Sequence, residues 1–304
     1  MFLDSFASDA VYLSEETSIA LAQKIAVQPI ETPFSDRPIS TAYVATTAPE
    51  KENIPILLLH GFDSSVFEFR RLLPLLAADR EVIAVDLLGF GFTERRADIP
   101  FDTNAIKIHL HAFWQTFITK PIILVGASMG GATAIDFTLT YPEVVEKLVL
   151  LDSAGIAKPP ALWKLLFPPF DRWATNFLSN AKVRENISKT AYFDKSLATD
   201  DANFCAALHL QCDRWHEALM AFTKSGGYGS FLQHLPAIAQ PTLILWGRND
   251  KILGTKDAGI FQQRIPNNKL VWIDRCGHVP HLEQPQITAE AIGQFVRDRH
   301  ISKV

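Results

Sequence analysis

The chain is poor in cysteine: only Cys205, Cys212 and Cys276 in 304 residues, with no C-x-x-C pattern. Sparse, unpaired thiols suit a reducing compartment, so a cytoplasmic location is expected. An excess of basic residues is also lacking. Lys and Arg total 29 against 33 Asp and Glu, a formal net charge of -4. That excludes a basic field able to hold nucleic acid or to dock the whole protein on an anionic membrane. No apolar run approaches the ~18 residues that span a bilayer, so stable membrane insertion is not expected. The start, Met1-Phe2-Leu3-Asp4-Ser5, has no basic segment of the kind a signal peptide carries. Internal repeats and low-complexity tracts are absent as well. What remains is an ordinary globular composition, 48% hydrophobic and 20% charged, long enough for one large domain or two modest ones.

Against that background one pentapeptide stands out, Gly126-Ala127-Ser128-Met129-Gly130. It follows Pro121-Ile122-Ile123-Leu124-Val125, which reads as a buried strand, and precedes Gly131-Ala132-Thr133-Ala134-Ile135, which reads as the start of a helix. A serine at a tight strand-to-helix turn is pushed clear of the backbone. Flanking glycines are needed because strand and helix come too close there for side chains. The hydroxyl then stands at a helix N-terminus, where free N–H groups can stabilise an anion. A glycine-rich turn with a solvated serine would share the motif, but not this strand-before, helix-after setting.

Apolar runs that end at glycine or aspartate recur around it. Residues 54–59 lead into His60-Gly61, residues 81–85 into Asp86, and residues 147–151 into Asp152. Strands buried on both faces, separated by helical stretches near 65–78, 104–118 and 129–140, imply an α/β fold with a mostly parallel sheet flanked by helices. Residues 39–44 alternate and suit an antiparallel edge strand. Two later strands, 241–246 and 269–273, and a last helix over 287–296 complete the pattern. Between 155 and 236 the strand rhythm stops, with Pro159-Pro160 and Pro168-Pro169 as breakers. The expected organisation is a core of 1–154 and 237–304 with a helical cap, 155–236, inserted over the sheet's C-terminal edge, where open α/β sheets bind ligands.

A serine hydroxyl needs a base, and a histidine base needs an acid to fix its tautomer. Asp250 follows the strand ending at Trp246, and His278 follows the next strand within Cys276-Gly277-His278. The rival acid is Asp152, whose plainer role is to cap the turn into the insertion. A developing oxyanion needs two donors. The N–H of Met129 is one candidate and the N–H of Phe62, in the loop His60-Gly61-Phe62-Asp63, is the other. His60 reads as a loop-organising residue, and Asp63 either orders that loop or meets the substrate.

These motifs resemble the cap-bearing serine-hydrolase branch of the α/β-hydrolase superfamily. The resemblance rests on His60-Gly61-Phe62, Asp86-Leu87-Leu88-Gly89-Phe90-Gly91, Gly126 to Gly130, Trp246 to Asp250 and Gly277-His278. It implies the α/β-hydrolase fold and the triad Ser128, His278 and Asp250, and it leaves the first ~30 residues and the cap unsupported. The haloalkane dehalogenase and epoxide hydrolase branches use aspartate where this chain has Ser128, which disfavours those chemistries. In the branch that cleaves carbon–carbon bonds of ring-cleavage products a tryptophan commonly follows the histidine, where this chain has Val279.

The expected activity is hydrolysis of a small-to-medium apolar carboxylic ester through an acyl-enzyme, without metal or organic cofactor. The alternatives are carbon–carbon hydrolysis of ring-cleavage diketones, or a non-catalytic ligand receptor on the same fold. Trp163 and Phe167, in an aromatic stretch of the cap, are expected to bind substrate. Cys205, His209, Cys212 and His216 recur at helical spacing and invite a metal. On one helix, rising ~1.5 Å per residue, they spread too far to share an ion, so a partly polar helix face is expected instead.

Overall fold

The computed structural model describes residues 10–47, 53–157 and 170–298. Eight strands form one sheet: β1 (Ile25–Thr32), β2 (Ser35–Ala45), β3 (Ile56–Leu59), β4 (Val82–Val85), β5 (Ile122–Ala127), β6 (Val145–Leu151), β7 (Thr242–Gly247) and β8 (Asn268–Ile273). Their spatial order is β1-β2-β4-β3-β5-β6-β7-β8. The pairs β1/β2 and β2/β4 are antiparallel and every other pair is parallel.

The apolar runs are continuous because the sheet is covered on both sides. Alternate side chains of one strand point to opposite faces. Leu57 and Leu59 of β3, with Ile122 and Leu124 of β5, enter one buried cluster. Ile56 and Leu58, with Ile123 and Val125, enter the other. All four residues of β3 and of β4 are buried, as are all six of β5 and of β7.

Two expectations need correction. The alternating segment 39–44 is antiparallel, as part of β2, but it is not the edge. The edge is β1, which pairs with it from Ile25↔Val44 to Ile30↔Ile39. Only two of the eight residues of β1 are buried, and it contains Pro29, which a sheet tolerates at its edge. The helix expected over 65–78 is broken. A 3-10 turn, Val66–Phe69, is capped by Ser65, and a one-turn helix, Leu73–Leu76, carries Pro74 in its first turn. Proline has no N–H to continue a preceding helix. The expected 104–118 helix is Thr103–Phe113, capped by Asp102, followed by a π turn over Trp114–Ile118 that ends at Thr119 in a left-handed conformation.

Between β6 and β7 the described residues hold helices and no strand: Phe170–Ser179, Ala181–Ala191, Asp200–Ala207 and Trp215–Ser225. Trp163 and Phe167 lie outside the described residues. Among the described residues no helix is long and apolar enough to cross a membrane.

Candidate active site

The parallel strands deliver their C-terminal ends to one edge. His60 follows β3, Asp86 follows β4, Ser128 follows β5 and Asp152 follows β6, while Asp250 and His278 stand in the loops after β7 and β8. Ser128 has φ 52° and ψ -116° and is followed at once by the helix Met129–Thr140. For a non-glycine residue this is a strained conformation, held by its surroundings. The Ser128 N–H donates to Leu151 O at 3.0 Å, and its carbonyl accepts from the amides of Gly131 and Ala154, each at 3.0 Å. A Cβ on Gly126 would stand 2.2 Å from the Gly130 carbonyl oxygen, and one on Gly130 would stand 2.1 Å from that of Leu59. Both glycines are therefore required by the close approach of strand and helix.

The three candidate triad residues come together. His278 Nδ1–H donates to Asp250 Oδ2 at 3.0 Å, and the Ser128 hydroxyl donates to His278 Nε2 at 2.9 Å. This tautomer follows because a carboxylate can only accept. Asp250 Oδ1 accepts from the amides of Ile252 (2.7 Å) and Leu253 (3.1 Å). Burial opposes ionisation of Asp250. The hydrogen bond and charge of His278, with the two amides, outweigh it and hold the carboxyl below its ordinary value. The His278 N–H donates to Ala191 O at 2.7 Å, so the base is fixed from its backbone as well.

Asp152 is fully buried at the end of β6. Its Oδ1 accepts from Gly247 N–H at 3.0 Å, and its carboxyl lies within hydrogen-bonding reach of Asp250. Burial and then the negative charge of Asp250 push its pKa well up. Asp152, Asp250 and His278 present possible metal-ligand atoms within 4.8 Å of one another. Two of the three are hydrogen-bonded directly to each other, and His278 is turned to Ser128 besides. His278 is thus held between a carboxylate and a hydroxyl rather than splayed with the two carboxylates around an ion.

His60 is buried and neutral. Its Nδ1–H donates to Gly61 O at 2.8 Å and Nε2 accepts from Leu87 N–H at 3.1 Å. Burial drives its pKa down to about 4, so it organises the loop and is no base for Ser128. The next residues carry two partnerships that motif and spacing do not reveal. Glu68 Oε2 accepts from Gly61 N–H at 2.8 Å, and Oε1 lies 3.0 Å from His281 Nε2. Asp63, at φ 49°, accepts from Arg184 Nη1 (2.7 Å), His209 Nε2 (3.1 Å) and Trp215 Nε1 (2.8 Å). Asp63 is thus tied to three points of the helical segment. Burial opposes its charge, but His209 and Arg184 hold its pKa near 2.

The cysteine–histidine quartet does not lie on one helix. The chain passes from Asp200–Ala207 through a 3-10 turn, Leu208–Gln211, to Trp215–Ser225. The members have separate partners: Cys205 meets Ser18, His209 meets Asp63, Cys212 meets Arg95 and His216 meets Thr175.

A cavity of about 320 Å³ opens on Ser128 and His278. Leu178, Ile187, Ile252, Val279 and Leu282 give it apolar walls, and Gly61 and Phe62 border it beside the serine.

A model of the alpha/beta hydrolase family matches residues 56–291. The chain belongs to that family. The alpha/beta hydrolase domain-containing protein VTE7 of Arabidopsis thaliana is 32% identical over 280 residues, covering 91% of this chain and 84% of that protein. The 2-hydroxymuconate semialdehyde hydrolase of Pseudomonas sp. (strain CF600) is 28% identical over 284 residues, covering 89% and 96%. Among solved structures, a thermophilic esterase from Thermogutta terrifontis superposes with a TM-score of 0.76 at 23% identity, covering 91% of this chain and all of that one. As an alpha/beta hydrolase with serine at its elbow, the protein is a serine hydrolase.

Proposed function

We propose that the protein hydrolyses small-to-medium apolar carboxylic esters through an acyl-enzyme on Ser128. The observation that carries this reading is the apolar cavity of about 320 Å³ opening directly on the Ser128–His278–Asp250 hydrogen-bond chain. Such a volume suits a small ligand. Ser128 attacks the ester carbonyl while His278 Nε2 takes its proton. Asp250 keeps the imidazole in the productive tautomer and stabilises the imidazolium. The amides of Met129 and Phe62 stabilise the oxyanion. Met129 opens its helix, where an N–H has no intrahelical acceptor, and Gly61 lets the loop approach Ser128. His278 then protonates the leaving alcohol and later activates the water that releases the acid.

Residues 155–236 act as a cap in this reading, with 1–154 and 237–304 as the core. Three groups of the helical segment bind Asp63, and Ala191 O accepts from the His278 amide, so the cap braces the oxyanion loop and the base together. The second reading, hydrolysis of a carbon–carbon bond in ring-cleavage diketones, is favoured by the likeness to 2-hydroxymuconate semialdehyde hydrolase.

An ester panel of graded acyl length, run beside such a diketone, tests the proposal. Turnover of the esters, with kcat lowered ~10⁶-fold in Ser128→Ala, is expected. Turnover of the diketone alone would replace it with the second reading. Saturable binding without turnover of either would mean a receptor.

A further inference from the structure

The cavity is apolar except at a few positions, and the charges on its wall are not equally satisfied. Asp63 and Arg184 meet each other at 2.7 Å, and Arg184 Nη2 donates to Ala206 O, which leaves only its Nε without a partner. Glu68 is met by His281 and by the Gly61 amide. Arg70 differs. It lines the same cavity and is only 3% exposed. Its Nη1 donates to Phe67 O at 3.3 Å, but Nε and Nη2 have no hydrogen-bond partner.

The nearest carboxylate is Glu15, whose Oε2 lies 3.7 Å from Arg70 Nε, an ion-pair distance beyond hydrogen bonding. Glu15 is already held at both oxygens by Arg71, at 2.6 and 2.9 Å. The carboxylate of Asp201 is likewise committed, to the amides of Ser14 and Glu15 and to the Ser18 hydroxyl. The Tyr192 hydroxyl accepts a hydrogen bond from the guanidinium and is its one neutral side-chain partner. A structural arginine tends to fill its donors, because a buried one left unmet keeps its desolvation penalty. Here the fork is only partly filled, on the wall of a ligand cavity. A guanidinium presents its N–H groups in a planar fork suited to a carboxylate, or singly to a carbonyl oxygen.

We infer that Arg70 is a substrate-binding residue, forming a polar subsite in the mostly apolar cavity for an oxygen acceptor on the acyl chain, with a carboxylate bound most tightly. This rests on the ester-hydrolase reading and sharpens it. The preferred substrate is then an apolar acyl ester carrying a second oxygen function away from the scissile bond, rather than a plain alkanoate. Losing the guanidinium leaves Glu15 paired with Arg71, so the substitution strands no carboxylate.

The test compares 4-nitrophenyl monoesters of dicarboxylic acids, of keto acids and of alkanoic acids over a range of chain lengths, as kcat/KM for wild type, Arg70→Met and Arg70→Gln. Wild type should favour the oxygen-bearing esters over alkyl esters of equal length. Arg70→Met should lose that preference by roughly 10–100-fold, the value of a hydrogen bond to a charged group. Arg70→Gln keeps neutral donors, so it should retain the keto-ester preference and lose the carboxylate one. A parallel calorimetric titration of the Ser128→Ala protein with monomethyl esters of the same dicarboxylic acids reads binding without turnover. Binding there that disappears in Ser128→Ala/Arg70→Met, even if wild type hydrolysed no ester, would uphold the subsite while the ester reading failed. Equal acyl ratios in wild type and both variants, at unchanged melting temperature, would overturn the subsite and leave Arg70 solvated by water.

Discussion

Two aspartates end adjacent strands at the same edge of the sheet, and their surroundings give them opposite characters. Asp250, after β7, receives three hydrogen bonds, from the His278 ring and the Ile252 and Leu253 amides. Asp152, after β6, receives one amide and faces Asp250. Both are buried, so burial alone opposes the charge of each. The difference is the count of donors and the sign of the neighbour. One carboxyl is held ionised and the other is pushed toward the neutral acid. Position at a strand end therefore identifies two candidate acids, and only donor geometry separates them.

The largest test of that contrast is Asp250→Asn. The amide side chain would favour the wrong imidazole tautomer, and kcat should fall roughly 10⁴-fold with the fold intact. Steady-state kinetics of Asp250→Asn and Asp152→Asn, measured together, check it. A larger loss in Asp152→Asn would move the acid to β6.

A third buried carboxylate, Asp63, extends the comparison to one whose charge is met entirely by the helical segment. Asn tolerates the left-handed backbone found here, so Asp63→Asn removes charge without adding strain. Arg184 would lose its carboxylate partner, and stability should fall by about 3 kcal/mol, as for other broken buried pairs. Because Phe62 is the preceding residue, kcat should also fall, by up to ~100-fold, if its amide serves the oxyanion. The folded pKa near 2 lies below the ordinary 3.8, so the ion pair's contribution is fully present above about pH 4. It is lost as pH falls toward 2. The stability gap between wild type and Asp63→Asn should thus close over that acid range in denaturant titrations. A gap independent of pH would mean that the charge of Asp63 contributes nothing.

The sheet and the meeting of Ser128, His278 and Asp250 were legible in the chain because both are written locally. Continuous apolar runs mark β3 to β7, since a doubly covered strand has no polar face to show. The glycines around Ser128 mark a turn that no side chain fits. The antiparallel edge β1 was not legible, because a strand with only two buried residues and a proline in it looks like a loop. The partners of Asp63, Glu68 and Arg70 were also hidden. Asp63 pairs with residues more than a hundred positions away, and Glu68 with His281. Neither pairing leaves any mark in spacing or periodicity. The spacing of Cys205 to His216 misled only about the helix: a single helix was expected where the chain breaks at a 3-10 turn.

The smallest expected kinetic effect belongs to Asp152→Asn, and its sign in stability is the more telling readout. An asparagine oxygen can still accept from the Gly247 amide. Its NH₂ can face Asp250, as the hydroxyl of a neutral carboxylic acid would. Catalysis should therefore fall less than about tenfold, the change produced by ~1.4 kcal/mol in a barrier. Stability should move the other way. The folded pKa of Asp152 is raised, so its carboxyl binds a proton in the folded state at pH values where the unfolded chain has already released it. Wild type then loses stability as pH rises above the unfolded pKa, by at most about 1.4 kcal/mol per pH unit for one proton. Asparagine does not titrate and escapes that loss. Asp152→Asn should match or slightly trail wild type near pH 4 and overtake it progressively toward neutral pH, measured as unfolding free energies across the series. A variant that is less stable than wild type by the same amount at every pH would show that Asp152 is not held neutral. The contrast drawn between the two strand ends would then fail.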